Sequence, residues 1–167
     1  MTVSIAMLAP PPTRPFASTK SLHLRAYRES DSAQLFNMYN DERVARSMSL
    51  DYAVPYGENQ WKPFLDQVTA GLIHLIAEVK PDCEDGKAEN LSDEERWVGH
   101  VNLNIRGQKN RNAVLAIAIT PRWWSRGFGT EIVEWLVQYT FEQLGMHRLS
   151  LGVIGSNSRA ISLYKRV

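Results

Sequence analysis

The chain has 167 residues, 44% of them hydrophobic, with 19 basic and 18 acidic side chains and a formal net charge of +1. That is enough apolar material for one packed domain, which argues against wholesale disorder, and too even a charge balance for a nucleic-acid coat or a polybasic membrane anchor. No apolar run approaches the roughly 18 residues of a membrane span, and the start lacks the basic residues of a secretory signal, so a cytoplasmic protein is expected.

Residues 1–20 contain Pro10, Pro11, Pro12 and Pro15, a composition that predicts an extended or disordered leader ahead of a single domain over 21–167. Leu22 to Tyr27 alternates apolar and polar residues, as a half-buried strand does. Ser30 is placed to cap a helix whose Leu35, Phe36 and Tyr39 share a face. "DERVARSM" reads as a second short helix. "NQWKPFLDQVTAG" reads as a third, with Pro63 in its first turns and Gly71 at its stop. Leu72–Lys80 and Trp97–Ile105 are strand-like. Between them lies "PDCEDGKAENLSDEER", with seven acidic residues, which predicts a mobile hairpin loop. Its stretch 82–95 has the charge to attract a cationic substrate, although a merely solvated loop is the plainer reading. Cys83 has no second cysteine to pair with, and His23, His74 and His147 lack ligand spacing, so no disulfide and no metal site are expected.

The period then changes again. "NAVLAIAIT" (112–120) is almost wholly apolar, which predicts a central strand covered on both faces. A long helix follows from about Gly127 to Leu144, with Ile132, Val133, Leu136, Val137, Phe141 and Leu144 on one stripe and Glu131, Glu134, Gln138 and Glu142 on the other. Gly145 ends it. "HRLSLGVI" (147–154) is a last strand, and Asn157 is a natural cap for a closing helix. This order of elements predicts an α+β or mixed α/β domain.

Between the apolar strand and the long helix stands "WSRGFGTE" (124–131). A helix start leaves about four N–H groups without partners and carries roughly half a positive charge. Gly127 and Gly129 clear the approach to those donors, and Arg126 adds a fixed cation, so the stretch reads as a cradle for a diphosphate. A nucleotide P-loop would need a lysine after the second glycine, and a dinucleotide fingerprint would need a third glycine. Both are missing. A tight strand-to-helix turn with no ligand remains the alternative at this point.

The wider context resembles a known family. A Gly-x-Gly loop opening a long amphipathic helix is similar to the acetyl-coenzyme A loop of the GNAT N-acetyltransferases, and the form "Trp-x-x-Gly-x-Gly-Thr-Glu" resembles the RimJ/RimL branch, which includes spermidine acetyltransferases. "LHLRAYRESDSAQLFNMYNDERVAR", "WVGHVNL" and "SNSRAISLYKRV" resemble further parts of that branch, over roughly residues 20–167. The resemblance implies a central, mostly antiparallel sheet with one splayed parallel strand pair, flanked by helices. It implies acetyl-CoA as cosubstrate and acetyl transfer to a primary amine, namely a small amine, a polyamine or a protein N-terminus, by direct attack through a tetrahedral intermediate. Backbone groups near Ile117, Ala118 and Ile119 would hold the pantetheine arm. Trp124, Arg126, Gly127, Phe128, Gly129 and Thr130 would form the diphosphate loop, with Trp123 beside it, and Asn157 would reach the donor. Tyr164 would protonate the departing thiolate, and His100 or Glu78 would be the base. No nucleic acid, membrane or metal is implied, and a homodimer is compatible with it. The family's last helix is usually followed by Gly-Phe and a hairpin. The sequence stops at Val167, so a domain without that hairpin is expected, and with it the alternative of a coenzyme-A-binding module without efficient catalysis.

Overall fold

Strand and helix periods in the sequence become one six-stranded sheet with helices on both faces. The computed structural model describes residues 14–83 and 90–167. In chain order it contains β1 (Ala17–Ser18), β2 (Leu22–Ala26), α1 (Ser32–Tyr39), α2 (Glu42–Met48), α3 (Glu58–Thr69), β3 (Ile73–Val79), α4 (Asp93–Arg96), β4 (Trp97–Ile105), β5 (Asn112–Ile119), α5 (Phe128–Glu142), β6 (Arg148–Ser150) and α6 (Ser158–Tyr164). The strands lie in sequence order, β1-β2-β3-β4-β5-β6. All neighbours are antiparallel except β5 and β6, which run parallel. A parallel neighbour needs a crossover connection, and α5 supplies it. The mixed α/β class with a mostly antiparallel sheet is the one predicted.

Each face of the sheet has its own core. On one face Phe128, Ile132, Val133 and Leu136 of α5 pack on Leu24, Leu75, Val101, Leu103 and Leu115 of the strands. On the other face Leu35, Met38 and Tyr39 of α1 and Val44 of α2 pack on Ile76, Trp97 and Ala118, with Trp61 and Phe64 of α3 closing the edge. Burying each such large side chain stabilises the fold by roughly 1.5–3 kcal/mol before cavity effects. Among the described residues no helix is long and apolar enough to cross a membrane.

Several local expectations are revised. Residues 1–13 of the predicted leader lie outside the described residues, but 14–20 are tied to the domain. Ala17–Ser18 pairs with β2, and Phe16 meets Trp135 and Tyr139 edge-on at 6.2 and 5.6 Å. Before α1 it is Asp31, not Ser30, that organises the turn: its carboxylate accepts from the Arg28 N–H at 2.7 Å and from two Arg25 nitrogens at 2.8 and 2.7 Å. Residues 84–89 of the acidic loop lie outside the described residues, whereas its end forms the short helix α4. There Ser92 and Glu95 cap each other reciprocally, a pairing that "SDEE" permits and that the acidic composition hides. The stripe of α5 passes through Thr140, which is buried, and leaves Phe141 43% exposed. Finally, β4 and not β5 is the strand covered on both faces. Nearly all of β4 is buried, while β5 alternates, because β5 borders an open cleft.

Candidate active site

The cleft begins where two strands part. β5 and β6 pair only over Asn112↔Arg148, Ala113↔Leu149 and Val114↔Ser150. Beyond Ser150 the predicted strand "HRLSLGVI" leaves the ladder, so residues 151–154 have no strand geometry. The other edge of β5 stays fully paired with β4 as far as Gly99↔Ile119. The bonds from the Thr120 N–H to Val98 C=O (2.9 Å) and from the Arg106 N–H to Asn112 C=O (2.8 Å) fix the phase of that ladder. By antiparallel alternation, even-numbered residues of β5 turn their backbone groups to β4 and odd-numbered ones turn theirs to the cleft. The backbone groups of Ile117 and Ile119 therefore face the cleft. Those of Ala118 do not, because they are committed across the ladder to His100. The Ile119 carbonyl is also taken, by the Trp124 indole N–H at 2.7 Å.

The cleft leads to the start of α5. Gly127 caps that helix with φ 84° and Ser125 lies at φ 60°, a left-handed backbone that costs a non-glycine residue of order 1 kcal/mol or more. The first bond of the helix runs from the Glu131 N–H to the Gly127 carbonyl at 3.0 Å. The N–H groups of Phe128, Gly129 and Thr130 precede that first bond and are the orphan donors of a helix start. Gly129 is needed for another reason: a Cβ there would lie 2.7 Å from Leu163 Cδ1 and 3.3 Å from Ile119 Cδ1. The absent side chain lets α6 close over the loop.

One open cavity of about 1680 Å³ joins these features, lined by β5 residues 114–119, the loop 123–130, residues 152–154 and 156–160, Tyr164 and the segment after α2. Five arginines (Arg43, Arg46, Arg126, Arg159, Arg166) line it against the carboxylates of Glu42 and Asp51. Arg43 and Arg46 are held by Asp41 and Glu42 at 2.6 Å each. Arg126, Arg159 and Arg166 take no carboxylate partner among the described residues. The Arg126 guanidinium sits 5.0 Å over the Trp123 ring, and that of Arg159 sits 4.0 Å over Trp124. Such stacking holds a cation in place without neutralising it. Trp123 itself is buried and donates to the Trp97 carbonyl at 3.0 Å, so it is a wall of the core as well as of the cavity. Arg159 and Arg166 escape sequence reasoning because a charged residue on a short helix, or in the turn just after it, reads as solvated surface.

The remaining predicted residues divide. Tyr164 lines the cavity, and burial pushes its hydroxyl above the ordinary tyrosine range. Asn157 lines it too, and its amide makes two bonds within the protein. Its oxygen accepts from the Ala160 N–H at 3.1 Å, capping α6, and its nitrogen donates to the Ser47 carbonyl at 3.3 Å, tying α6 to α2. His100 and Glu78 do not line the cavity. His100 is 1% exposed. Its Nε2 bonds the Tyr39 hydroxyl at 2.7 Å and its Nδ1 bonds His74 Nε2 at 3.1 Å. Burial pushes His100 down to about 3 and His74 to about 4. Glu78 accepts from Arg25 Nε at 2.7 Å, beside the Arg25–Asp31 pair. A histidine two residues along an alternating strand and a carboxylate on its neighbour look alike in sequence whether they face a cleft or a core. Among the described residues no group of three or more His, Cys, Asp or Glu could hold a metal ion.

This geometry agrees with what the chain is similar to. The model of the acetyltransferase (GNAT) domain matches residues 21–167. A spermidine N(1)-acetyltransferase of Vibrio cholerae is 28% identical over 144 residues, covering 86% of this chain and 76% of that relative. An uncharacterized N-acetyltransferase of Bacillus subtilis is 24% identical, with the same coverage. Among solved structures, a GNAT-family acetyltransferase from Bacillus anthracis superposes with a TM-score of 0.68 at 13% identity, over 89% of this chain and 80% of that one. The Vibrio cholerae spermidine N-acetyltransferase in complex with CoA and spermine does so with 0.63 at 20% identity, over 87% and 78%. With the domain match spanning nearly all of the sequence and the same fold beneath it, the chain belongs to the GNAT acetyltransferases.

Proposed function

We propose that the protein transfers acetyl from acetyl-CoA to a primary amine. The observation that carries this reading is the single cavity that runs from the parted β5 and β6 strands to the bare start of α5, lined by Arg126, Arg159 and Arg166. A diphosphate at residues 127–130 meets the Phe128, Gly129 and Thr130 amides, the positive end of the helix and those arginines. The backbone of Ile117 would hold the pantetheine arm as an added strand is held, and Tyr164 lines the same cavity, within which the thioester would lie. The Tyr164 hydroxyl is protonated at neutral pH, as any tyrosine is and the more so for its burial, and it would give a proton to the sulfur as the bond to the acetyl carbon breaks. The attacking nitrogen loses its own proton to water in the open cleft, since His100 and Glu78 are engaged elsewhere. The amine acceptors named for the Vibrio cholerae relative support an amine as the acceptor class.

A second reading, coenzyme A binding without efficient turnover, is favoured by one observation: β6 has β5 as its only strand neighbour among the described residues, so that side of the cleft is open. Calorimetry with acetyl-CoA and a free-thiol assay over a panel of polyamines, aminoglycosides and short peptides test both. Binding with amine-dependent thiol release is the expected result. Binding without release from any amine leaves only the second reading, and absence of binding removes both.

A further inference from the structure

A second pocket of about 290 Å³ opens beside the first, and Met48, Ser49, Tyr52 and Val54 line both. Its walls are the rings of Tyr39, Tyr52, Tyr56 and Phe64, with Ser49 and Gln60 as its only other polar side chains. Three of the rings hold one another: Tyr56 stacks on Phe64 at 4.6 Å, and Tyr39 meets Phe64 edge-on at 4.8 Å and Tyr56 at 6.4 Å. That side of the pocket is therefore shaped before anything enters it, while Tyr52, 83% exposed, and Val54 form its open rim. None of its ten lining residues is an Asp, Glu, Lys, Arg or His. The carboxylates of the larger cavity, Glu42 and Asp51, do not line it, and Glu42 is held by Arg46. Behind the Tyr39 wall stand His100 and His74, both kept neutral by burial, and beyond His74 lies Asp31, engaged by Arg25.

We infer that this pocket takes the acceptor, and that the acceptor is a monoamine carried on an aromatic or bulky apolar group, not a polyamine. The inference rests on the acetyl-transfer reading for its link to the thioester, and on the pocket alone for its chemistry. A second or third ammonium pushed into an uncharged wall loses its hydration with no carboxylate among the lining residues in return. An aromatic or aliphatic body gains by the same burial, and ring faces tolerate a single ammonium on its way to the thioester. An uncharged surround also favours the neutral form of the amine, which is the nucleophile. That reduces the need for a side-chain base.

Calorimetry on the coenzyme-A-loaded chain with 2-phenylethylamine, spermidine and the tripeptide Phe-Gly-Gly tests this. The aromatic amine is expected to bind at least about tenfold more tightly than spermidine. Equal or tighter binding of spermidine overturns the inference, and so does absence of binding by both aromatic ligands. Tighter binding of Phe-Gly-Gly than of 2-phenylethylamine supports a polypeptide end as the source of the aromatic amine, and the reverse order supports a free amine. The Tyr56→Asp variant, with coenzyme A affinity as the check on its fold, should shift the preference toward spermidine. If the binding order holds while none of the amines releases thiol, the catalytic reading fails and the pocket assignment stands.

Discussion

Tyr164, the proposed proton donor, lines the cavity and has a hydroxyl that burial pushes above the ordinary tyrosine range. Tyr164→Phe keeps the ring that packs on the core and removes only the hydroxyl. In steady-state assays it should lower kcat by about 100-fold or more, the lower end of the usual range for losing a positioned acid, with the acetyl-CoA Kd unchanged by calorimetry. A fall in affinity with kcat intact would make Tyr164 a packing residue. At this scale the sequence was legible only where residue type already implies geometry. Gly127, with φ 84°, is such a case. Asn157 is half of one: its cap was readable from its place before a helix, but its second bond, to the Ser47 carbonyl, joins segments far apart in the chain. His100 could not be placed at all, since which face of a strand looks on a cleft depends on the helices that cover it.

At the scale of elements, the start of α5 separates two uses of glycine. A side chain at Gly127 meets nothing within 4 Å, and the left-handed backbone is the obstacle. At Gly129 the backbone is helical and Leu163 is the obstacle. Gly127→Ala should cost about 1 kcal/mol of stability and weaken acetyl-CoA binding, because the loop must distort at the donors. Gly129→Ala sets its methyl against the tip of one leucine, which is able to shift, so thermal melts should show a smaller loss. Equal behaviour of the two variants in melts and calorimetry would refute this division. The long strands and α5 were readable because their periods are sustained over many residues. β6 was not: "HRLSLGVI" has strand composition throughout, yet only Arg148–Ser150 pairs. Where two strands part is set by sheet twist and by what packs between them, which no local period records.

Over the whole molecule, the sheet keeps a neutral His74–His100 pair between itself and the α1–α3 layer. Burial lowers both, to about 4 and about 3, and for His74 it outweighs the attraction of Asp31. An unfolded histidine titrates near 6.5, so below that pH the unfolded chain takes up protons that the folded chain refuses. Stability is complete above about pH 6.5 and falls as the pH drops toward 4, by up to about 1.4 kcal/mol per pH unit for each histidine. Thermal melts across that window should show the fall, and His74→Gln should make it shallower; a flat profile would mean that the pair is charged or hydrated. On the other side of the sheet, Glu131 receives the Thr19 hydroxyl and, at 2.6 Å, the Ser21 N–H. This carboxylate stands one turn inside α5, whose tip borders the cavity, and the N-terminal strap occupies it. Trimming the protein ahead of Ser21 would therefore leave it short of its hydroxyl partner and act on the helix start from outside the cavity, whose lining does not include Glu131.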